Sequence, residues 1–144
     1  MATIQVRVEA VIYNKKGQLL LALHSKKGNS YWVLPGGHLE YGERLSSGLE
    51  RELREELGLE HTSVSELVFV DEFLDIDKKR HVVKIGFRVE ARDEDLKEID
   101  VRVKDESIKE VCFFSAYSIN QSPDTFYPDK DFFLRLIEFY SKEK

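Results

Sequence analysis

Sulfur chemistry has almost no foothold in this chain, because a single cysteine among 144 residues cannot close an internal disulfide. Cys112 stands in the apolar run Val-Cys-Phe-Phe, so we expect a small buried hydrophobe in a reducing compartment rather than a catalytic thiol. No stretch reaches the roughly 18 consecutive apolar residues of a membrane-crossing helix. The opening MATIQVRVEAVIY lacks the basic start, apolar core and small-residue cleavage site of a secretion signal. These absences lead us to expect a cytoplasmic protein without a membrane partner. Positive charge is also short, since 22 basic against 27 acidic residues leave a formal net charge of −5. That balance offers no general field for nucleic acid, which we do not expect as a partner, and a polyanionic ligand would need metal ions as mediators. The four histidines, His24, His38, His61 and His81, show no zinc-site spacing. Repeats, low-complexity tracts and linkers are missing too, so we expect a single domain over residues 1–144, large enough to bury a core unaided.

What is present is a mixture of strand and helix patterns. Apolar residues alternate at Ile4, Val6 and Val8 and run on from Ala10 to Tyr13, which predicts a strand. The turn signal Asn14-Lys15-Lys16-Gly17 and the apolar run Leu19 to Leu23 predict a hairpin partner for it. Ser25 to Ser30 reads as a loop, and Pro35-Gly36-Gly37 as a break in any regular element. Leucines at 45, 49, 53 and 57 predict a helix from Glu43 to Leu57, all four facing a core, with Gly58 as terminator. Val64 to Ile76 and Val82 to Ala91 read as strands, Arg92 to Asp100 as a solvated loop or short helix, and Val111 to Phe114 as a further strand. A closing amphipathic helix is expected from about Asp129 to Ser141. The fold class that follows is α/β, an α/β/α sandwich on a mixed β-sheet.

Chemistry concentrates between Gly37 and Leu59. Glu52 and Glu56 lie four residues apart, on one helical face, with Glu55 one step around the same side. Like charges at that spacing repel, and Arg51 and Arg54 relieve only part of the repulsion. A hard divalent cation would relieve the rest, because carboxylate oxygens suit Mg2+ or Mn2+, and such an ion could bridge to phosphate and acidify a bound water. Gly36 and Gly37 allow close backbone approach to a ligand or ion. Glu43, at the helix start, is placed to pair with Arg51 two turns later as a buried structural ion pair.

That segment resembles the Nudix box at every specified position: Gly37, five residues, Glu43, seven residues, Arg51, Glu52, an apolar Leu53, any residue, Glu55, Glu56, any residue, Gly58 and an apolar Leu59. The box covers 23 of the 144 residues. Around it, the lead-in Tyr-Trp-Val-Leu-Pro-Gly-Gly and the later stretch EVCFFSAYSI are similar to the family more loosely. The resemblance implies that Glu52, Glu55 and Glu56 hold the metal, with the Gly37 carbonyl as a further ligand, and that Glu52 is the first candidate for the base that activates water. Arg51 belongs to the same catalytic group. Relatives often add an acid beyond the box, and Glu106 or Glu110 would supply it, with Glu110 carried in the metal set. Glu43 and Gly58 are structural within the motif. Trp32, Gly36 and His38, beside or inside the box, are candidates for contacting substrate, although aromatics beside a Pro-Gly turn more often pack into cores. Lys26, Lys27 and Lys84 are weaker candidates for phosphate, since single lysines usually serve solubility.

The resemblance also implies the reaction: hydrolysis of the pyrophosphate linkage in a nucleoside diphosphate derivative, a small-molecule nucleotide substrate. No proline occurs between Pro35 and Pro123, so the mark often carried by ADP-ribose hydrolases is absent, as are the NADH and coenzyme A signatures. The compact layout looks most like relatives acting on nucleoside triphosphates or oxidised nucleotides such as 8-oxo-dGTP. Alternatives are hydrolysis of ADP-ribose, a nucleotide sugar or a dinucleoside polyphosphate, and, in another class, a non-catalytic nucleotide-binding regulatory module. A homodimer is compatible with the sequence.

Overall fold

Strand β1 (Ile4–Val11) alternates twice over. Val8, Ala10 and, just past its end, Ile12 turn to one core, while Arg7, Glu9 and Val11 share the opposite face, on which Val11 enters a second core. In the computed structural model, which describes residues 2–99 and 108–142, β1 is therefore a central strand. The other elements are β2 (Leu19–Lys26), β3 (Asn29–Val33), β4 (Gly36–His38), α1 (Leu45–Leu57), β5 (Thr62–Asp75), β6 (Arg80–Ala91), α2 (Asp93–Leu96), β7 (Ile108–Phe114), α3 (Ala116–Gln121) and α4 (Lys130–Lys142). A four-stranded mixed sheet has the order β4-β1-β6-β5, with β1 and β6 parallel, and a three-stranded antiparallel sheet has the order β3-β2-β7. The class is α/β, as expected.

The expected hairpin between the first two apolar runs forms only next to its turn, where Tyr13 bridges Leu19, the Asn14 N–H donates to the Gln18 carbonyl and the Leu20 N–H to the Ile12 carbonyl. Further back both edges of β1 are taken, by β4 on one side and β6 on the other, so β2 goes on into the second sheet. Asn14 starts that departure, its side-chain oxygen accepting from the backbone N–H groups of Lys16 and Gln18. Ser25 to Ser30 is no loop but a tight hairpin pairing β2 with β3, its turn made by Lys27 and Gly28 at φ 52° and 83°. The break expected at Pro35 does end β3 at Val33, but the glycines after it resume regular structure, because Gly36 to His38 pair with β1 in the other sheet.

Two cores result. One packs Val8, Ala10, Ile12, Leu20 and Val89 against Leu49, Leu53 and Leu57 of α1. The other gathers Leu19, Leu21, Trp32, Phe114 and Ile119 with Phe126, Phe133 and Leu136. Leu45, expected in the core, is 37% exposed, since it stands at the first position of α1, outside the last turn that the sheet covers. Cys112 is exposed, on a strand at the edge of its sheet, and not the buried hydrophobe expected. Helix α3 had no counterpart in the sequence reading; it is capped by Ser115, which accepts from the Ser118 N–H and is bonded back by the Ser118 hydroxyl. No helix among the described residues is long and apolar enough to cross a membrane.

Candidate functional site

Glu43 and Arg51 anchor the local geometry. The helix begins at Leu45, two residues later than expected, so Glu43 is not a first-turn acid; it fastens the preceding loop to the helix instead. Arg51 donates from Nε at 2.6 Å and from Nη2 at 3.0 Å to the two Glu43 oxygens, a bidentate fork, and the Glu40 N–H donates to the same carboxylate at 2.9 Å. These donors, Arg51 first, hold the Glu43 carboxyl down at about 2, and the same hydrogen bond raises the Arg51 guanidinium above its usual value. Side chains of both are under one-fifth exposed. Gly48 makes this bracket possible: a Cβ there would lie 2.6 Å from Leu39 Cδ1 and 2.9 Å from Glu43 Oε1. Sequence reasoning passed over Gly48, although a glycine in mid-helix is itself a signal of close approach.

The remaining Arg51 nitrogen, Nη1, donates to Glu52 at 3.1 Å and to Glu55 at 3.2 Å, and Nη2 also donates to the His38 carbonyl at 3.3 Å. One guanidinium thus neutralises several carboxylates and ties them to β4. Glu52 reaches furthest inward, with its side chain 13% exposed against 36% for Glu55. Its carboxylate lies directly against Gly37, where a Cβ would overlap it. Gly36, one residue earlier, is held equally close to the Val8 carbonyl and the Glu9 backbone. At the far end, Gly58 adopts φ 68°, and its N–H and that of Leu59 close the helix on the Arg54 and Leu53 carbonyls.

A cleft of about 1330 Å³ opens at this edge, lined on one side by Gly37, Glu52 and Glu56. Its floor is a row across three strands of the mixed sheet, where His38 on β4 opposes Arg7 on β1 and Arg7 opposes Lys84 on β6; Asp71 on β5 continues the row opposite Lys84 but does not line the cleft. Arg7 is held by Glu9, Nε to Oε2 at 2.8 Å, and donates to the Leu34 carbonyl at 3.3 Å. Glu9 and Lys84 are only 6% and 9% exposed. Burial lowers the pKa of Lys84, Glu9 opposing that shift, and its Nζ stands 4.1 Å from the Tyr127 ring centre. Burial, then Arg7 and Arg80, lowers the pKa of His38.

Of the residues expected at the site, Gly37, His38, Glu52 and Glu56 line the cleft, and Glu55 stands beside them on Arg51. Trp32 does not: it is 4% exposed, its Nε1 donates to Asp124 at 3.0 Å and its ring meets Phe114 edge-on, so its neighbour Tyr31 takes the cleft instead. Strand alternation decides between the two. Gly36 packs against backbone rather than lining the cavity. Glu110 is exposed on β7 opposite Leu23, away from the cleft lining, and Glu106 lies outside the described residues. Among the described residues no three acidic, histidine or cysteine side chains are gathered closely enough to hold a metal ion as they stand, Arg51 being the cation that Glu52 and Glu55 share. Arg7 and Glu9 went unassigned by the sequence, because charged residues alternating along a strand look like a solvated face.

Comparisons with known proteins agree with this architecture. The chain is 36% identical over 80 residues to the RNA pyrophosphohydrolase of Ruthia magnifica subsp. Calyptogena magnifica, covering 56% of this chain and 44% of that protein. It is 41% identical over 66 residues to the nucleoside triphosphatase NudI of Enterobacter sp. (strain 638), covering 43% and 47% respectively. The matched stretches span less than half the length of either relative. The crystal structure of the MutT protein from Methanosarcina mazei Go1 superposes with a TM-score of 0.69 at 24% identity, over 97% of this chain and 94% of that one, a likeness of fold. The sequence profile of the NUDIX domain matches residues 3–136, and the chain belongs to that family.

Proposed function

We propose that this protein is a metal-dependent hydrolase of the pyrophosphate linkage in nucleoside diphosphate derivatives, with nucleoside triphosphates, including oxidised ones such as 8-oxo-dGTP, as its first substrates. The observation that carries the reading is a single cleft with carboxylates against a bare glycine backbone on one wall and a guanidinium-bearing row on its floor. Hydrolases of this family generally use divalent metal ions. The donor chemistry here fits one: Glu52, Glu56 and the Gly37 carbonyl would hold it, joined by Glu55, and the cradle at Gly37 is one that any Cβ would fill. A bound Mg2+ or Mn2+ supplies charge neutralisation of the pyrophosphate and a water of lowered pKa.

The chain's own residues supply the rest. Arg51 aims Glu52 and Glu55 from Nη1 while its Nε and Nη2 grip Glu43, a division of donors that a lysine, with one nitrogen, could not reproduce. Glu52, less exposed than Glu55 and set against the Gly37 backbone, is our choice to accept the proton of the attacking water as the phosphorus–oxygen anhydride bond breaks. Arg7, fixed by Glu9, offers its charge to the phosphate that leaves or stays. The names of two relatives, one for RNA and one for nucleoside triphosphates, share the phosphoanhydride of a nucleotide, which supports the class without choosing the member.

The test is a panel of nucleoside triphosphates, 8-oxo-dGTP, ADP-ribose, dinucleoside polyphosphates and nucleotide sugars, read by released phosphate or pyrophosphate with magnesium, manganese, or chelator. We expect metal-dependent release, and a loss of about 10²- to 10⁴-fold in Glu52→Gln. Nucleotide binding without release from any member of the panel would instead establish the regulatory-module reading.

A further inference from the structure

Lys84 is a buried cation with no carboxylate against it. Only 9% of the residue is exposed, and among the described residues no hydrogen-bond acceptor stands at bonding distance from its Nζ, which lies 4.1 Å from the centre of the Tyr127 ring instead. Burial lowers its pKa, Glu9 and Asp71 oppose that shift and Arg7 and Arg80 add to it, so charged groups from three strands act on one amine. Behind it, on the side away from the cleft, a cavity of about 10 Å³ is lined by Glu9, Asp71, Lys84, Tyr127 and the rings of Phe69 and Phe132. Glu9, Lys84 and Tyr127 also line the cleft, and so form the partition between the two spaces. Gly86, opposite Glu9 on β6, leaves this corner open, because the Phe69 ring closes over its bare backbone where a Cβ would stand. A space of this size suits one water molecule, which needs roughly 10–15 Å³ and two to four polar partners.

The partition stands beside Arg7. That guanidinium uses Nε on Glu9 at 2.8 Å and Nη2 on the Leu34 carbonyl at 3.3 Å, which leaves Nη1 without a partner among the described residues. Alone, the Glu9 carboxylate would cancel the Arg7 charge. Lys84, opposite Arg7 on the parallel strand β6 and diagonal to Glu9, leaves the three groups with a net positive charge at a level where burial weakens solvent screening. A water between Nζ and Glu9 gives the buried amine the acceptor it lacks, and steadies the carboxylate oxygen that Arg7 does not use. We propose that Lys84 is a positioning residue for phosphate capture, keeping Glu9 aimed and Arg7 cationic through one water bound in the cavity behind Tyr127. Arg7, and not Lys84, touches the phosphate in this arrangement. It rests on the hydrolase reading above only in taking Arg7 to meet a phosphate group.

The test is a double-mutant cycle of Lys84→Met and Glu9→Gln, read by calorimetry as the Kd of methylenediphosphonate, a pyrophosphate analogue that cannot be hydrolysed, with magnesium. Lys84→Met should weaken binding about 10-fold in the parent, and less than about 2-fold where Glu9 is already glutamine. On the best substrate of the panel the same substitution should raise KM by a similar factor and keep kcat within about 2-fold, since the acids of α1 are untouched. Lys84→Gln, which keeps a donor without the charge, should show the same losses and stands in if Lys84→Met does not fold. A high-resolution crystal structure of the parent should place an ordered water between Lys84 and Glu9. An equal loss of binding in both backgrounds would mean that Lys84 meets the phosphate itself, and would overturn the positioning role. So would a cavity that holds no water, or a fall in kcat as large as the rise in KM. The expected cycle in a protein that hydrolyses no member of the panel would uphold Lys84 while removing the hydrolase, and a parent that does not bind the analogue would overturn both.

Discussion

Two adjacent glycines should respond to the same added methyl in opposite ways. Gly37 faces α1 from β4, opposite Val8, and its backbone is one that any L residue can adopt. The three atoms nearest to a Cβ at Gly37 all belong to the Glu52 carboxylate, with Oε1 at 2.6 Å and the carboxyl carbon nearer still. The far end of a glutamate can swing aside for about 0.5–1.5 kcal/mol of rotamer cost. Alanine returns about 0.4–1 kcal/mol by restricting the unfolded chain. Gly37→Ala should therefore melt within about 3 °C of the parent. Its activity should fall about 100-fold, because the displaced carboxylate is the one that carries the chemistry and an ångström of misplacement suffices. At Gly36 the obstacle is the Val8 carbonyl and the Glu9 Cα, 2.9 Å away, so β4 must part from β1. Gly36→Ala should lose about 1–3 kcal/mol and melt roughly 3–9 °C lower. Differential scanning calorimetry and kcat/KM on the best panel substrate measure both. If Gly37→Ala melts as low as Gly36→Ala, or keeps full activity, the placement of Glu52 against that backbone is wrong.

Further expectations come from the same contacts. Gly48→Ala should fail to gain the ~1 kcal/mol that alanine usually adds to a helix, because its Cβ would push Leu39 and Glu43 off the helix, and a denaturant midpoint above the parent's would refute this. Trp32→Phe should cost about 1–3 kcal/mol through the lost Asp124 bond and smaller ring while leaving KM unchanged; a raised KM would return Trp32 to the site. Glu43 has a folded pKa near 2 against an ordinary 4.5, so its bond to Arg51 stabilises fully above about pH 4.5 and is lost as pH falls toward 2. The difference in denaturant midpoint between the parent and Glu43→Gln should shrink across that window, and a difference independent of pH would exclude the pairing.

Local pattern carried the elements whose reasons are local. Leucines four apart and a glycine stop predict α1, and Leu49, Leu53, Leu57 and Gly58 stand as that pattern requires. Pairing between distant strands is another matter. The hairpin expected after β1 is the natural reading of two apolar runs around a turn, and it stops after the pairing of Ile12 to Asn14 with Gln18 to Leu20 because β4 and β6 take the backbone edges of β1 from 25 or more residues away. Ser25 to Ser30 misleads for a related reason: its polarity is that of an exposed hairpin tip, and Lys27 at positive φ occupies a place where asparagine or glycine would have announced the turn.

The candidate site divides along the same line. Its acidic wall lies in one contiguous stretch, where Glu43, Arg51, Glu52, Glu55 and Glu56 have to keep helical spacing to meet, so spacing alone exposes them. The opposite surface is assembled by register: His38, Arg7, Lys84 and Asp71 are neighbours only because four strands align at one level, and nothing in the sequence near any one of them names the others. A slip of one residue in β6 would turn Lys84 to the α1 face and bring Val83 or Ile85 into the cleft, removing the support under Tyr127. Gly36 and Gly86, which flank Glu9 on its two partner strands, work against such a slip, since a Cβ at either would strike the Val8 backbone or the Phe69 ring. These two glycines hold the register, and a substitution at Gly86 should therefore disturb Tyr127 without touching it.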